Sequence, residues 1–262
     1  MIKTNYHTHT KLCNHAEGMP IDYVARAVEL GYREIGISDH GPLLKEWHYR
    51  MTIEEFYKIY LPEIERAKKK YGDKIKIYRG LEIEYHPDFH ECYERWNKDL
   101  DYLILGQHVI FTGPFIRDIY HDLNDEDIAS YCDEVIAAMR TGYFKIFAHP
   151  DIYLFRRPDW NPFLEAAARA IVEAAVENDV ILEINANGIR RKRILNQDGK
   201  PAYIYPRYEF WRVVSEYPEA KIIIGEDNHS PKYIDDVACH KAKSFVSGLG
   251  LKPLIYLFRD ET

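Results

Sequence analysis

Short apolar segments alternate with longer amphipathic segments along almost the whole chain, and this alternation constrains the fold more than any other feature. Seven segments have the length and composition of strands: residues 3–7, 34–39, 74–85, 101–108, 144–149, 180–185 and 221–227. Helical patterns follow them at 20–30, 52–70, 88–98, 125–141, 161–178, 206–217 and 231–247. Strands that alternate with helices pair in parallel through crossover connections. The sequence therefore predicts an α/β fold with a parallel sheet.

Side chains that can bind metals stand at the carboxyl end of every predicted strand. They are His7 and His9, Asp39 and His40, Glu82 and Glu84, His108, His149, Glu183, and Asp227 and His229. In a closed barrel of parallel strands, reactive groups gather at that face from several strands, whereas an open sheet concentrates its site near one switch point. The distribution predicts a seven-stranded barrel that forms a single domain over residues 1–262.

The spacing of these residues indicates a metal centre. His7 and His9 are two residues apart, so both side chains point to the same side of an extended strand, and Asp227 and His229 repeat the arrangement. If the barrel closes between its first and last strands, the two pairs become neighbours. A glutamate can bridge two cations because a carboxylate has two oxygens. The ligand-type residues are too many for one tetrahedral ion, so they favour a multinuclear site.

The composition argues against several other kinds of protein. A net charge of −7 is unfavourable for a broad nucleic-acid-binding surface. The four cysteines are widely spaced and contain no Cys-x-x-Cys pair, so neither a disulfide framework nor a cysteine-rich zinc module is indicated. The first residues lack the apolar segment of a signal peptide, and no stretch approaches 18 apolar residues. We therefore expect a cytoplasmic protein that does not bind membranes.

Seven motifs resemble those of the PHP family, the polymerase and histidinol phosphatase superfamily. In chain order they are HTHTKLCNHAEG, SDHGP, RGLEIEY, GQH, FAHPD, EINANG and GEDNH, and they span nearly the whole chain. The first motif and the segment EINANGIRRK are most similar to the histidinol-phosphatase branch. The resemblance implies a distorted (β/α)7 TIM-like barrel, which agrees with the strand count. It also implies a centre of three divalent ions, for which zinc, manganese and iron are all suitable.

The resemblance also implies a set of ligands, matched position by position. A first metal would be held by His7, His9, Glu82 and Asp227, a second by Glu82, His108 and His149, and a third by His15, His40 and His229. Glu82 would bridge the first two metals. Glu84 points to the same side of its strand, so it is the alternative ligand, or else a residue that supports a ligand or contacts the substrate.

The activity implied by the resemblance is that of a metal-dependent phosphomonoesterase. Within its branch, the substrate would be L-histidinol phosphate, an intermediate of histidine biosynthesis. A water or hydroxide that bridges two metals would be the nucleophile, and Glu82, Asp227 and Asp39 are the expected catalytic residues. Asp39 is a candidate proton donor, but it could also cap the loop that follows it. A nucleotide or oligonucleotide phosphoesterase and a non-catalytic metal-binding module remain as alternatives.

Two arginines are expected to bind the phosphate of a small phosphorylated substrate. Arg190 directly follows the EINANG motif, and Arg156 lies seven residues after His149. Both match arginines that the histidinol-phosphatase branch is expected to use, and a guanidinium can donate two directed hydrogen bonds to a phosphate. Arg157 and Arg191 are the alternatives one position along the chain. The opposing interpretation is that both segments are surface loops with solvated charges.

Overall fold

The structure, a computed structural model, describes residues 3–42, 49–112 and 115–258. Its strands are β1 (Thr4–Asn5), β2 (Glu34–Ile37), β3 (Lys76–Ile83), β4 (Tyr102–Leu105), β5 (Val109–Thr112), β6 (Phe115–Asp118), β7 (Ile146–Phe147), β8 (Ile181–Asn185), β9 (Ile194–Leu195), β10 (Pro201–Ala202) and β11 (Ile222–Gly225). Its α-helices are α1 (Pro20–Glu29), α2 (Ile53–Glu55), α3 (Leu61–Tyr71), α4 (His90–Asp99), α5 (Asp125–Arg140), α6 (Pro162–Glu177), α7 (Ala186–Arg190), α8 (Tyr208–Val214) and α9 (Val237–Gly248). A π-helical turn, Phe56–Tyr60, joins α2 to α3.

Seven of these strands form a parallel sheet in the order β1-β2-β3-β4-β7-β8-β11, which confirms the predicted parallel architecture. The first and last strands meet just beyond their carboxyl ends, where Thr8 and Asn228 form a parallel bridge and the His9 N–H donates to the Asn228 carbonyl at 2.9 Å. At the opposite end of the barrel, the segment that follows α9 contacts the start of β11, where the Leu254 N–H donates to the Ile222 carbonyl at 2.8 Å. The sheet is therefore a nearly closed barrel, as predicted, and it closes most tightly at the end that carries the polar residues.

The core has two apolar layers, which arise because successive side chains of a strand point to opposite faces. One layer fills the barrel with residues from several strands: Tyr6, Tyr78, Tyr102, Ile104, Ile146, Ala148, Ile181, Ile223 and Leu257. The other layer lies between the strands and the helices and contains their sequence neighbours, such as Ile77, Phe147 and Ile222. The barrel interior is thus packed rather than open, and the polar cluster lies above this apolar filling.

The helices largely match the predicted segments, and local capping explains where they begin. Asn161 caps α6 through its side chain, and Pro162 occupies the first turn, as expected for a residue that lacks an N–H. The last helix begins at Val237 rather than at residue 231, because Pro231–Tyr233 forms a separate 3-10 turn. None of the described helices is long and apolar enough to cross a membrane.

Two antiparallel hairpins were not predicted. The β5–β6 hairpin follows His108 directly, and the β9–β10 hairpin follows α7. Both consist of strands of two to four residues, which are too short to show a clear alternation of polar and apolar side chains. The hairpins add residues to the loops at the carboxyl end of the barrel, where the polar cluster lies.

Candidate metal centre

The carboxylate of Glu82 lies at the centre of the polar cluster. Glu82 is a buried residue of β3, and its Oε2 lies 3.4 Å from Nε2 of both His7 and His9. The same oxygen lies 3.0 Å from Nδ1 of His40. Ligand atoms of His7, His9 and Glu82 all lie within 4.8 Å of one another, so the structure brings together three members of the first predicted ligand set.

The second oxygen of Glu82 faces a different pair of imidazoles. Its Oε1 lies 3.0 Å from Nε2 of His149 and 3.5 Å from Nε2 of His108. These two histidines are the ones assigned to the second metal. Because each oxygen addresses its own group of imidazoles, Glu82 has the geometry that a carboxylate bridge requires.

Asp227 and the third ligand set lie on the other side of His9. Oδ1 of Asp227 lies 3.0 Å from His9 Nε2 and 3.3 Å from His229 Nδ1. His229 Nε2 in turn lies 3.0 Å from Nε2 of His15. Ligand atoms of His15, His40 and His229 lie within 4.8 Å of one another. All nine predicted ligands are therefore gathered in one continuous cluster.

The cluster fits divalent cations on the evidence of its own unpaired atoms. Oε2 of Glu82, Oδ1 of Asp227 and Nδ1 of His40 are buried, and within the described part of the chain none of their close polar contacts has the angles of a hydrogen bond. Buried polar atoms in proteins are nearly always paired, so these inward-facing ligand atoms fit a site that binds a cation. Imidazole nitrogens and carboxylate oxygens suit zinc, iron and manganese alike.

Cys13 lies close to this cluster but has a different environment. Its sulfur can approach ligand atoms of His9 and His229 within 4.8 Å. The thiol donates to the Thr10 carbonyl at 3.1 Å, and burial followed by the charge of Asp39 raises the pKa of Cys13 well above its usual range. Metals bind the thiolate, so these surroundings support the prediction that Cys13 is not a ligand.

Carboxylates behind the histidines fix the orientation of the imidazole rings. Oε2 of Glu183 lies 2.8 Å from Nδ1 of His7, and Oε1 of Glu84 lies 2.8 Å from Nδ1 of His108. In each ring the carboxylate contacts Nδ1, so Nε2 is directed at Glu82. Carboxylates in this position fix the tautomer and the orientation of histidines that bind metals. Glu84 thus lies where the sequence placed the supporting alternative. The role of Glu183 was missed, although its position at a strand end was noted.

Asp39 is occupied by contacts that position other residues. It is fully buried, and its carboxylate accepts the N–H of Thr10 at 3.0 Å, the Thr10 hydroxyl and the N–H of His40 at 2.8 Å. It also lies 3.4 Å from Nδ1 of His9. These contacts favour a role in holding His9 and the first loop over a role as proton donor, and the catalytic assignment of Asp39 stays a prediction.

Two candidate ligands have a backbone conformation that is rare outside glycine. His149 has φ 34° and Asp227 has φ 48°. Residues in this left-handed region persist where their surroundings over-determine them, and they concentrate at functional sites. Oδ2 of Asp227 accepts amide N–H groups from Asn185 at 3.1 Å and Asn187 at 3.2 Å, which hold the side chain in place. The strained backbone at these two residues directs both side chains towards the centre of the cluster.

Glycines in two of the motifs make room for carboxylates of the cluster. A Cβ built on Gly106 would collide with Oε1 of Glu82, and one built on Gly225 would collide with Oε2 of Glu183. Neither carboxylate can move away from its glycine without losing its contacts to histidines, because Glu82 contacts His149 and Glu183 contacts His7. The motifs GQH and GEDNH therefore require glycine because of close approach.

The charges within the cluster divide the histidines into two groups. Burial opposes protonation of His7 and His9, but carboxylates outweigh it; Glu183 leads the effect that raises the pKa of His7, and Asp227 and Asp39 raise the pKa of His9 to about 9. Burial and the neighbouring His229 lower the pKa of His15 to about 4. Burial and Arg50 lower the pKa of His40 well below its usual range. Without metal, the first group holds protons at neutral pH and the second does not.

A cleft of about 460 Å³ opens beside the cluster. It is lined by three candidate ligands, three aromatic residues and four charged residues: His15, His40 and His108; Tyr49, Tyr120 and Phe155; and Arg50, Asp118, Arg156 and Arg191. Arg50 is buried, pairs with Glu84 and lies 3.5 Å from Nδ1 of His108. Nothing in the sequence around Arg50 pointed to this position, because its approach to Glu84 depends on the fold.

Arg190 and Arg191 are directed to different sides of the chain. Arg190 donates to Asp236 at 2.9 Å, to the Glu226 carbonyl at 2.6 Å and to Asn228 at 3.1 Å, so it ties α7 to the loop after β11. It is not among the residues that line the cleft. Arg191, the alternative, lies there instead. Adjacent side chains of α7 point about 100° apart, so only one of the two arginines can face the cleft, and the assignment of phosphate binding to Arg190 stays a prediction beside its alternative, Arg191.

Arg191 and Arg156 line the cleft beside the aromatic residues. The Arg191 guanidinium lies 5.6 Å from the ring centroid of Tyr120 and 5.7 Å from that of Phe155, and its Nε donates to the Tyr205 hydroxyl at 3.2 Å. Nε of Arg156 donates to the Tyr120 carbonyl at 2.7 Å. Both side chains are anchored through Nε, which leaves their terminal nitrogens as the groups available to an anion.

Comparison with known proteins agrees with this geometry. The family model described as "PHP domain" matches residues 5–187. A Deinococcus radiodurans protein named "Probable histidinol-phosphatase" is 27% identical over 237 residues, with 86% of this chain and 85% of that protein covered. An Escherichia coli protein named "Probable phosphatase YcdX" is 24% identical over 272 residues, with 97% and 98% covered. The predicted family is thereby confirmed.

A solved structure shares the fold. The crystal structure of histidinol phosphate phosphatase from Lactococcus lactis, complexed with zinc, L-histidinol and phosphate, matches with a TM-score of 0.68 and 20% sequence identity. The match covers 96% of this chain and 95% of that one. The TIM-like barrel implied by the family resemblance, which agrees with the strand count, is therefore confirmed.

Replacing Gly106 with alanine should reduce metal binding. The added methyl group would displace the Glu82 carboxylate, and loss of a well-placed ligand or its support commonly lowers metal affinity 10- to 100-fold. Metal content after dialysis against a weak chelator measures the effect. Gly248→Ala is the matched control, because a Cβ there meets nothing within 4 Å. Normal metal content in Gly106→Ala would contradict the placement of Glu82.

Metal binding at neutral pH should release protons. Imidazoles must lose their protons to bind a cation, and the pKa of His9 is raised to about 9, so affinity should increase as pH rises from 6 towards 9 and then level off. Titration calorimetry at pH 7 in two buffers of different ionisation enthalpy counts the released protons. We expect release of about one proton or more per chain. A binding enthalpy that does not depend on the buffer would show that the metal displaces no protons from His7 and His9.

Proposed function

Because the chain belongs to the PHP domain family, we propose that it is a metal-dependent phosphomonoesterase that hydrolyses a small phosphorylated alcohol, with L-histidinol phosphate as the first candidate. The observation that carries the proposal is the position of Arg156 and Arg191 in a cleft that His15, His40 and His108 also line. A phosphate in this cleft would meet directed donors on one side and the metal ligands on the other. The names of the relatives support the class of reaction and this substrate.

The nine clustered ligands would hold the divalent cations. Cations bound there would supply Lewis acidity, which makes water nucleophilic at neutral pH and offsets the charge that develops on the phosphoryl oxygens. Glu82 and Asp227 serve this centre through oxygens that have no hydrogen-bond partner among the described residues. Burial alone would raise the pKa of Glu82, but His7, His108 and His40 hold it well below its usual range, so the carboxylate is ionised.

The arginines orient the substrate. A phosphomonoester carries close to two negative charges at neutral pH, and a guanidinium donates to two of its oxygens at once. The rings of Tyr120 and Phe155 hold the guanidinium of Arg191 in place. A fixed donor loses less conformational freedom when the substrate binds. We assign phosphate binding to Arg191 and Arg156, with the structural contacts of Arg190 setting the position of α7.

The shape and charge of the molecule favour a small substrate over an oligonucleotide. Binding of a single strand calls for a positively charged groove with aromatic side chains along several nucleotides. The chain has a net charge of −7, and three aromatic residues and three arginines line one cleft of about 460 Å³, a size suited to a small molecule. A nucleoside monophosphate would fit this cleft as well, so it belongs in the assay.

The proposal is tested by a side-by-side assay of the purified enzyme. L-histidinol phosphate, a nucleoside monophosphate, a phosphotyrosine peptide and a short oligonucleotide are compared by kcat/KM, before and after treatment with EDTA and re-addition of manganese or zinc. We expect the highest value for L-histidinol phosphate, its loss with EDTA and its recovery with metal. Turnover of oligonucleotides alone, or full activity in a metal-free preparation, would refute the proposal.

Arg191→Ala should lower kcat/KM on phosphomonoesters while metal content stays normal. Charge-assisted hydrogen bonds contribute roughly 1.5–3 kcal/mol, which corresponds to a loss of about 10- to 100-fold. Arg193→Ala is the matched control, since its guanidinium lies 4.5 Å from the ring centroid of Tyr203 and it does not line the cleft. Equal activity of the two variants would remove Arg191 from the phosphate site, and a large loss in Arg190→Ala at normal stability would assign phosphate binding to Arg190.

A further inference from the structure

The hairpin that follows His108 carries an acidic residue into the cleft. Asp118 ends β6 and lies opposite Val109 in the antiparallel pair, so it stands next to a candidate metal ligand in the sheet. The Ile119 N–H donates to the His108 carbonyl at 3.0 Å, which fixes the hairpin against the barrel. Asp118 therefore forms part of the cleft wall together with Tyr120 and Arg191.

The carboxylate of Asp118 is held in place but its charge is not neutralised. Its Oδ1 accepts the Tyr120 N–H at 2.8 Å. Within the described ranges, no lysine, arginine or histidine nitrogen lies within 4.0 Å of it, and the adjacent Arg117 pairs with Asp127 instead. The cleft thus contains one fixed negative charge among its arginines.

An unpaired carboxylate in this position would be unfavourable for a substrate that carries only negative charge. Two like charges in contact repel each other in water, and they repel several times more strongly at a partly buried site. The same carboxylate attracts a substrate that has a positive group beyond its phosphate. The arginines and Asp118 together make the cleft complementary in charge to a molecule with an anionic end and a cationic end.

We propose that Asp118 determines specificity by binding the protonated amine of the substrate, which makes the enzyme selective for phosphomonoesters of amino alcohols. This inference rests on the proposed phosphomonoesterase function. The phosphate would lie between the metal ligands and the arginines, and the carbon chain would place its ammonium group at Asp118. An ammonium donates up to three hydrogen bonds, and the free Oδ2 of Asp118 is an acceptor suited to it.

The test compares two esters that differ only in the amine. L-histidinol phosphate and imidazolylpropyl phosphate, which lacks the amine, are assayed at about pH 8, where imidazole is mostly neutral and an alkyl ammonium remains charged. Asp118→Asn removes the negative charge, Asp118→Glu retains it, and Asp122→Asn removes the charge of an exposed residue that lies outside this cleft. The measured quantity is the ratio of kcat/KM for the two esters.

We expect Asp118→Asn to lower this ratio about tenfold or more, Asp118→Glu to restore part of it, and Asp122→Asn to keep the ratio of the unaltered enzyme. An equal loss on both esters would overturn the inference and assign Asp118 to the reaction itself or to folding. An unchanged ratio would overturn it as well. If the unaltered enzyme hydrolyses neither ester nor any other phosphomonoester, the proposed function fails rather than the role of Asp118.

Discussion

The structure depends on the burial of one carboxylate, that of Glu82, in the middle of five imidazoles. An ionised carboxylate in a protein interior costs many kcal/mol unless it is paired or coordinates a metal. Protonated histidines can supply part of the compensating charge, but His15 and His40 are neutral at pH 7, since the pKa of His15 is lowered to about 4 and the pKa of His40 lies well below its usual range. Divalent cations bound in the cluster would supply the charge that the imidazoles do not. The proposed metal centre would therefore help to hold the carboxyl end of the barrel together as well as supply its chemistry.

Several features of the fold follow from the need to direct these groups inward. Gly106 and Gly225 leave space for Glu82 and Glu183, and the left-handed conformations of His149 and Asp227 turn two side chains towards the centre. The bridge between Thr8 and Asn228 closes the barrel at the level of the cluster, so the ligand pairs of the first and last strands become neighbours. Each feature has a local cost, and all of them lie within a few residues of a ligand. This distribution is expected where function, rather than stability, determines the local sequence.

The barrel and the ligand cluster could be predicted from the sequence because both follow from periodicity: strand ends share one face, and residues two apart share one side. The contacts that depend on how loops return over the barrel could not. The choice between Arg190 and Arg191 depends on the direction of a five-residue helix, and the pairing of Arg50 with Glu84 joins residues from distant segments. Asp118 lies on a hairpin whose strands are too short to leave a pattern. Sequence periodicity and the family resemblance therefore locate the candidate metal ligands, whereas the residues proposed to select the substrate emerge only from the tertiary structure.

Anomalous diffraction from a crystal of the zinc-loaded enzyme would show whether Glu82 bridges two cations in a cluster of three. We expect three anomalous peaks at the carboxyl end of the barrel, two of them about 2.0–2.2 Å from different oxygens of Glu82. The third peak should lie among His15, His40 and His229. A single peak per chain at full zinc loading, or peaks that Glu82 does not contact, would show that Glu82 is not the bridge of a trinuclear centre.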